Sequence, residues 1–139
     1  MSGISFTLRL ASLLEGDLVD AKNNNGYGFQ FGLDGHGHLC LTISDPWTSQ
    51  SLHSSRLPAD AKAVSVVVNS LACIVSFYAD GRFLDGGEER QFGFQRLNPY
   101  LRHFNWAREW RLERGLRSIS VFNRALTGVE AIASLHDDA

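Results

Sequence analysis

The chain is poor in proline, cysteine, methionine and long apolar runs. Its 139 residues include 3 Pro, 2 Cys and 1 Met. So little proline excludes a collagen-like or stalk segment. The two cysteines, Cys40 and Cys73, are too few for a disulfide scaffold or a four-cysteine zinc site. No apolar stretch approaches about 18 residues, so no membrane-spanning helix is expected. The start, Met1-Ser2-Gly3-Ile4, lacks a charged region followed by an apolar stretch, and reads as no secretory signal. An excess of one charge is also missing. Thirteen Lys and Arg stand against 15 Asp and Glu, for a net charge of −2. That balance disfavours nucleic acid as a partner, a local basic patch aside.

What the chain does hold is apolar and aromatic: 44% hydrophobic residues and 11% aromatic ones. A core can be buried, and the length fits a single domain over residues 1–139. The periodicity is that of strands. Ile4, Phe6, Leu8 and Leu10 alternate with Ser5, Thr7, Arg9 and Ala11, which predicts one face inward and one outward. Tyr27, Phe29, Phe31 and Leu33 alternate with Gly28, Gln30 and Gly32. Asp34-Gly35-His36-Gly37 reads as a turn, and Leu39, Leu41 and Ile43 as the return strand, ended at Asp45-Pro46-Trp47. Residues 63–68 form a valine-rich run, and residues 73–78 a second one. Asp80-Gly81 is a hairpin signal leading to Arg82-Phe83-Leu84. Residues 116–122 read as a last strand. Cys40 shares a strand face with His38 and Thr42, and Cys73 with Val75 and Phe77, so the pattern argues against a Cys40–Cys73 bridge.

One helix is signalled. Thr127-Gly128-Val129-Glu130 is a capping box, and Ala131, Ile132 and Leu135 follow as an apolar stripe. Many short strands and one terminal helix predict an all-β, two-sheet antiparallel sandwich.

Three motifs resemble laminin-G-like, concanavalin A-like jelly-roll domains. Gly26-Tyr27-Gly28-Phe29-Gln30-Phe31 is similar to a glycine-flanked hydrophobic strand of that family. Ser76-Phe77-Tyr78-Ala79-Asp80-Gly81-Arg82 is similar to its Asp-Gly hairpin. Residues 115–132, through Val121-Phe122-Asn123-Arg124-Ala125-Leu126-Thr127, are the closest match, and the motifs follow in family order. The family has a further strand before the position of Ile4, so the resemblance points to a trimmed chain. Residues 95–114 depart from its spacing. The resemblance implies a jelly roll that binds glycans or protein partners, as one module of a larger glycoside hydrolase or cell-surface protein. It also implies an extracellular or secreted parent.

Within that frame four groups of residues invite chemistry. Catalytic members of the superfamily carry Glu-x-Asp-x-x-Glu on one strand, with alternation placing the carboxylates on one face. Glu15, Asp17 and Asp20 approximate that spacing, with Glu15 and Asp20 as the catalytic pair, and retaining hydrolysis needs two carboxyls about 5–5.5 Å apart. Asp20 is one methylene short and the segment reads as an early loop, so a solvated acidic turn is the favoured reading. Ca²⁺ is the candidate cofactor, because family sandwiches hold one on loop oxygens. Asp17, Asp20, Asn23, Asn24, Asn25, Asp34, Asp45, Asp80 and Asp85 are the available ligands, and Asp and Asn are equally ordinary turn residues. His36 and His38 share a turn, but two ligands make no structural zinc site.

The fourth group is aromatic and basic. Residues 95–117 interleave Arg96, Arg102, Arg108, Arg111, Arg114 and Arg117 with Tyr100, Phe104, Trp106 and Trp110, opposed by Glu109 and Glu113. Rings stack on sugar faces, and guanidinium forks bind carboxylate or sulfate. The leading expectation is a non-catalytic, lectin-like carbohydrate-binding module. Trp47, Tyr100, Trp106 and Trp110 would stack, and Arg102, Asn105 and Arg108 would supply polar contacts. The rival is a structural or protein-interaction domain whose Trp, Tyr and Arg residues pack on a neighbouring domain or a second copy. A glycoside hydrolase using Glu15 and Asp20 is the third class.

Overall fold

A computed structural model describes residues 3–10, 16–58, 60–80, 82–84, 95–101, 104, 111–112 and 116–122. Two antiparallel sheets face each other. The strands are β1 (Gly3–Leu10), β2 (Gly16–Asp20), β3 (Gly28–Leu33), β4 (His38–Ser44), β5 (Ser49–Arg56), β6 (Ala63–Asn69), β7 (Ile74–Ala79), β8 (Arg82–Leu84), β9 (Gln95–Arg96), β10 (Arg111–Leu112) and β11 (Leu116–Phe122). One sheet is six-stranded, ordered β11-β1-β6-β7-β8, with β9 also on β7. The other is five-stranded, ordered β10-β2-β3-β4-β5. This is the expected jelly-roll sandwich.

The inner faces are apolar and interdigitate. Phe6 of the six-stranded sheet stacks on Phe29 of the five-stranded sheet, with centroids 5.5 Å apart and planes at 19°. Phe31 and Phe77 repeat the contact at 6.4 Å and 8°. Leu8, Leu39, Leu41, Ile43, Val64, Val66, Val68 and Val75 fill the space around them, each fully buried. β4 follows the period of 2 faithfully: Leu39, Leu41 and Ile43 are buried, while His38, Cys40, Thr42 and Ser44 are half-exposed.

The alternation reading fails in β1 and β6. Ser5, Thr7, Ser65 and Val67 point away from the core, yet all are buried. Small residues suit that covered outer face, and Thr7 Oγ1 donates to Ser65 Oγ at 3.4 Å across the strands. One-sided burial was the wrong inference because a polar residue at alternate positions signals a small, satisfiable side chain as readily as solvent.

Residues 16–20 are a strand, not the expected acidic loop. Leu18 and Val19 are consecutive and both buried. A register shift between Asp17 and Val19 makes this possible, pairing Asp17 with Gly32 and Asp20 with Gln30. Strict alternation would put positions 17 and 20 on opposite faces; the bulge's extra residue brings both onto the outward row. The sequence pattern also gave no sign of β5. It is an edge strand of polar residues, with only Leu52 and Ser54 buried. Cys73 was expected in the strand and instead precedes it, in a turn at φ 55°. It still packs on the core, and both cysteines are free. The predicted helix over residues 127–135 lies outside the described residues.

Gly28 enters β3 at φ +139°, where a Cβ would collide with the Ala21 carbonyl oxygen. That oxygen belongs to the residue whose N–H donates to Phe29 O at 2.8 Å, so the glycine lets the β2–β3 hairpin close tightly. Gly28→Ala should lower stability by about 2 kcal/mol or more. Phe77→Ala should lower it by about 3–5 kcal/mol through the lost cross-sheet stack and the cavity left behind. Urea unfolding measures both, and a loss below about 1 kcal/mol for either variant would contradict this account of the core.

Candidate functional site

The aspartates proposed as metal ligands serve their own turns. Asp34 Oδ1 accepts from the N–H of His36 at 2.8 Å and of His38 at 3.0 Å. Asp45 Oδ1 accepts from Trp47 N at 2.9 Å and Thr48 N at 2.8 Å. Asp80 accepts from Lys62 N and Ala63 N, each at 3.0 Å. Asp34 and Asp45 cap opposite ends of β4, about 20 Å apart at about 3.3 Å per residue, and do not converge. Asn23 Oδ1 accepts from Asn25 N and Tyr27 N in the β2–β3 turn. Among the described residues no group of three or more His, Cys, Asp or Glu is placed to hold a metal ion. Asp85 lies outside the described residues. His38 Nδ1 contacts the Ser54 carbonyl oxygen at 2.8 Å, a cross-strand tie between β4 and β5.

Asp20 stands on the outward face of the five-stranded sheet. Its Oδ1 accepts from Lys22 N at 3.0 Å, and its register neighbours are Gln30 on β3 and Arg111 on β10. Glu15, the other half of the proposed catalytic pair, lies outside the described residues. Outward on β4 and β5, the Thr42 and Ser51 hydroxyls are 3.0 Å apart, and those of Ser44 and Ser49 are 2.8 Å apart.

The clearest concavity is elsewhere. A cleft of about 720 Å³ opens where the β4–β5 hairpin, the β6–β7 turn and residues 96–99 meet, lined by Gln50, Cys73, Ile74, Arg96, Leu97 and Asn98 among others. Its position is set by hydrogen bonding. β9 is only Gln95–Arg96, too short to hold a segment by itself, and other elements clamp residues 96–98 in place. Gln50 Nε2 donates to Arg96 O at 2.8 Å, and Asn98 N donates back to Gln50 Oε1 at 2.7 Å. Asn98 Nδ2 reaches Thr48 Oγ1 at 3.4 Å, and Leu97 N donates to Cys73 O at 2.8 Å. The segment therefore bridges both sheets. Leu97 and Leu101 anchor it, each 1% exposed. Asn98 Oδ1 then accepts from Tyr100 N, opening the 3₁₀ turn Pro99–Leu101.

Two predicted stacking residues flank this cleft. Trp47 sits on the hairpin turn beside Thr48 and is 88% exposed. Tyr100 directly follows Pro99 and is 86% exposed. Leu71, on the β6–β7 turn, is 70% exposed. Large apolar groups held in water at one end of a sandwich are the usual mark of a binding surface. Arg96 is exposed and is the charged residue among those that line the cleft; no acidic side chain among the described residues pairs with it. The other predicted contacts, Arg102, Asn105, Trp106, Arg108 and Trp110, lie outside the described residues.

Sequence reasoning overlooked Gln50 and Asn98 and counted Arg96 only within a basic run. Nothing local marks Gln50, since its role is to meet a segment 46 positions away. The Asn-Pro pair at 98–99 was the available signal, as a turn initiator.

Solved structures with the same fold carry related names. The chain superposes on the CBM40 of the Ruminococcus gnavus IT-sialidase with a TM-score of 0.63 at 13% identity, covering 96% of this chain and 82% of that one. A leech intramolecular trans-sialidase gives 0.61 at 13% identity, covering all of this chain but 24% of that one. A heptameric SAP-like pentraxin from Limulus polyphemus gives 0.52 at 16% identity, covering 94% and 68%. No family model matches the sequence, and no curated protein matches it. At such identities the likeness establishes the sandwich and not the ligand. Among the described residues no helix is long and apolar enough to cross a membrane.

Two outcomes are expected from these turns and clamps. Gln50→Ala should remove about 1 kcal/mol of stability and speed amide exchange at Leu97 and Asn98 while β3 and β4 stay protected. Unchanged exchange at Asn98 would show that Gln50 does not hold the segment. At Asp34, desolvation raises the carboxyl pKa. The His38 and His36 amide donors, and the nearby charge of the two imidazoles, outweigh it and leave the pKa below its ordinary value. A depressed folded-state pKa contributes stability above the unfolded value, and that stability is lost as pH falls through the folded one. Acid titration from about pH 5 to about pH 2 should thus cost wild type more stability than Asp34→Asn. Equal acid slopes would contradict that.

Proposed function

We propose that the chain is a non-catalytic carbohydrate-binding module whose ligand lies across the cleft between Trp47 and Tyr100. The observation that carries this reading is the pair of fully presented rings beside a polar-lined concavity. Exposing a Trp and a Tyr to water is unfavourable, and a sugar offers both apolar C–H faces for the rings and hydroxyls for Gln50, Asn98 and backbone groups. The sandwich likeness to a sialidase CBM40, solved also with α2,3- and α2,6-sialyllactose bound, supports the same class. The motif resemblance to laminin-G-like domains supports it too. In this reading Trp106, Trp110, Arg102, Asn105 and Arg108 extend the surface, and the parent protein is extracellular with this chain as one module. Ca²⁺, if it contributes, adds to the surface and does not replace it.

A second reading is favoured by Leu71. An aliphatic side chain 70% exposed next to the cleft suits a protein partner, such as a neighbouring domain, better than a sugar. The test separates the two. On a glycan array, run with Ca²⁺ and again with EDTA, the folded chain should bind a defined set of saccharides. Trp47→Ala and Tyr100→Ala should each weaken binding at least tenfold, about 1.4 kcal/mol, with unfolding midpoints unchanged. Loss of binding in EDTA alone would add a calcium-dependent contact. A blank array from folded protein in both buffers would overturn the module reading and leave the protein-interaction one.

A further inference from the structure

Resting on the carbohydrate-binding reading, we infer that the cleft takes an anionic saccharide, with Arg96 as the group that engages the carboxylate or sulfate. The charge pattern carries this. The residues around the concavity are amide, aliphatic, thiol and one guanidinium, with no carboxylate among them. Arg96 is exposed, and no acidic side chain among the described residues neutralises it. A cation without a partner at the mouth of a concavity leaves a favourable position for an anion, and guanidinium meets carboxylate or sulfate through two parallel N–H bonds.

The backbone under Arg96 is fixed, which makes the site directional. Its carbonyl oxygen is held by Gln50 at 2.8 Å, its Cα partner in the sheet is Ile74, and the next residue is tied to Cys73. The guanidinium thus projects from an anchored main chain, and less freedom is lost when a ligand docks. Trp47 and Tyr100 then bracket the sugar ring while Arg96 reads the acid. A neutral sugar would meet the rings and leave the guanidinium to water; an acidic one would use both. The preference should also be salt-dependent, since an exposed pair is screened over about 8–10 Å at physiological ionic strength.

The experiment is calorimetric titration of the full chain with 3′-sialyllactose, 3′-sulfated lactose and lactose. At least one acidic glycan should bind tenfold or more tightly than lactose, and which one does so identifies the anion. Arg96→Gln should abolish that preference while leaving lactose affinity and the unfolding midpoint unchanged. Lys62→Gln, at the far end of β6, should change neither. Lactose bound as tightly as both acidic glycans would overturn the anion inference and leave the module reading standing. An acid preference that survives Arg96→Gln would overturn the assignment to Arg96. Failure of folded protein to bind any of the three, together with a blank array, would remove the module reading itself.

Discussion

Face-to-face packing of two apolar sheet surfaces is the interaction on which everything else in this protein depends. Phe6 on Phe29 and Phe31 on Phe77 pin the sheets in one relative placement. Sheets packed this way stand about 10 Å apart, so the hairpin turns of both layers emerge close together at each end. The cleft exists because of that proximity. The β4–β5 turn comes from one sheet and the β6–β7 turn from the other, and residues 96–101 span the gap between them. Without the aromatic stacks Trp47 and Tyr100 would share no surface.

The polar chemistry divides into two kinds of work. Asp34, Asp45, Asp80 and Asn23 close turns by accepting backbone N–H groups, which is why these residue types recur between strands. Gln50 and Asn98 instead join parts of the chain far apart in sequence, and they set the position of Arg96 and Tyr100. Carboxylates that looked like scattered metal ligands are thereby explained locally. The amides, which no motif singles out, organise the candidate site. The bulge in β2 is a similar case: one extra residue between Asp17 and Val19 buries two neighbours and turns Asp20 outward.

Likeness to sialidase-associated modules and to a pentraxin fits this division. A sandwich can retain its inner faces at 12–16% identity, because cores tolerate exchange among apolar residues of similar volume. The loops at its ends are free to diverge, and ligand choice is decided there.

The sequence by itself determined the sandwich and most of its inner strands. Alternation along 28–33, 38–44 and 116–122 and the Asp80 hairpin are local signals, readable because period 2 and turn chemistry act over a few residues. Trp47 and Tyr100 were legible as stacking candidates for the same reason: each is an aromatic beside a turn-forming proline. Tertiary structure alone decided the rest. The edge strand β5 carries too little apolar pattern to announce itself, and its pairing with β4 creates it. Burial of Ser5, Thr7 and Ser65 depends on what lies over them, not on their own polarity. The cleft depends on contacts 46 and 50 positions apart, between Gln50 and Arg96 and between Thr48 and Asn98, and no local pattern encodes a meeting at that separation.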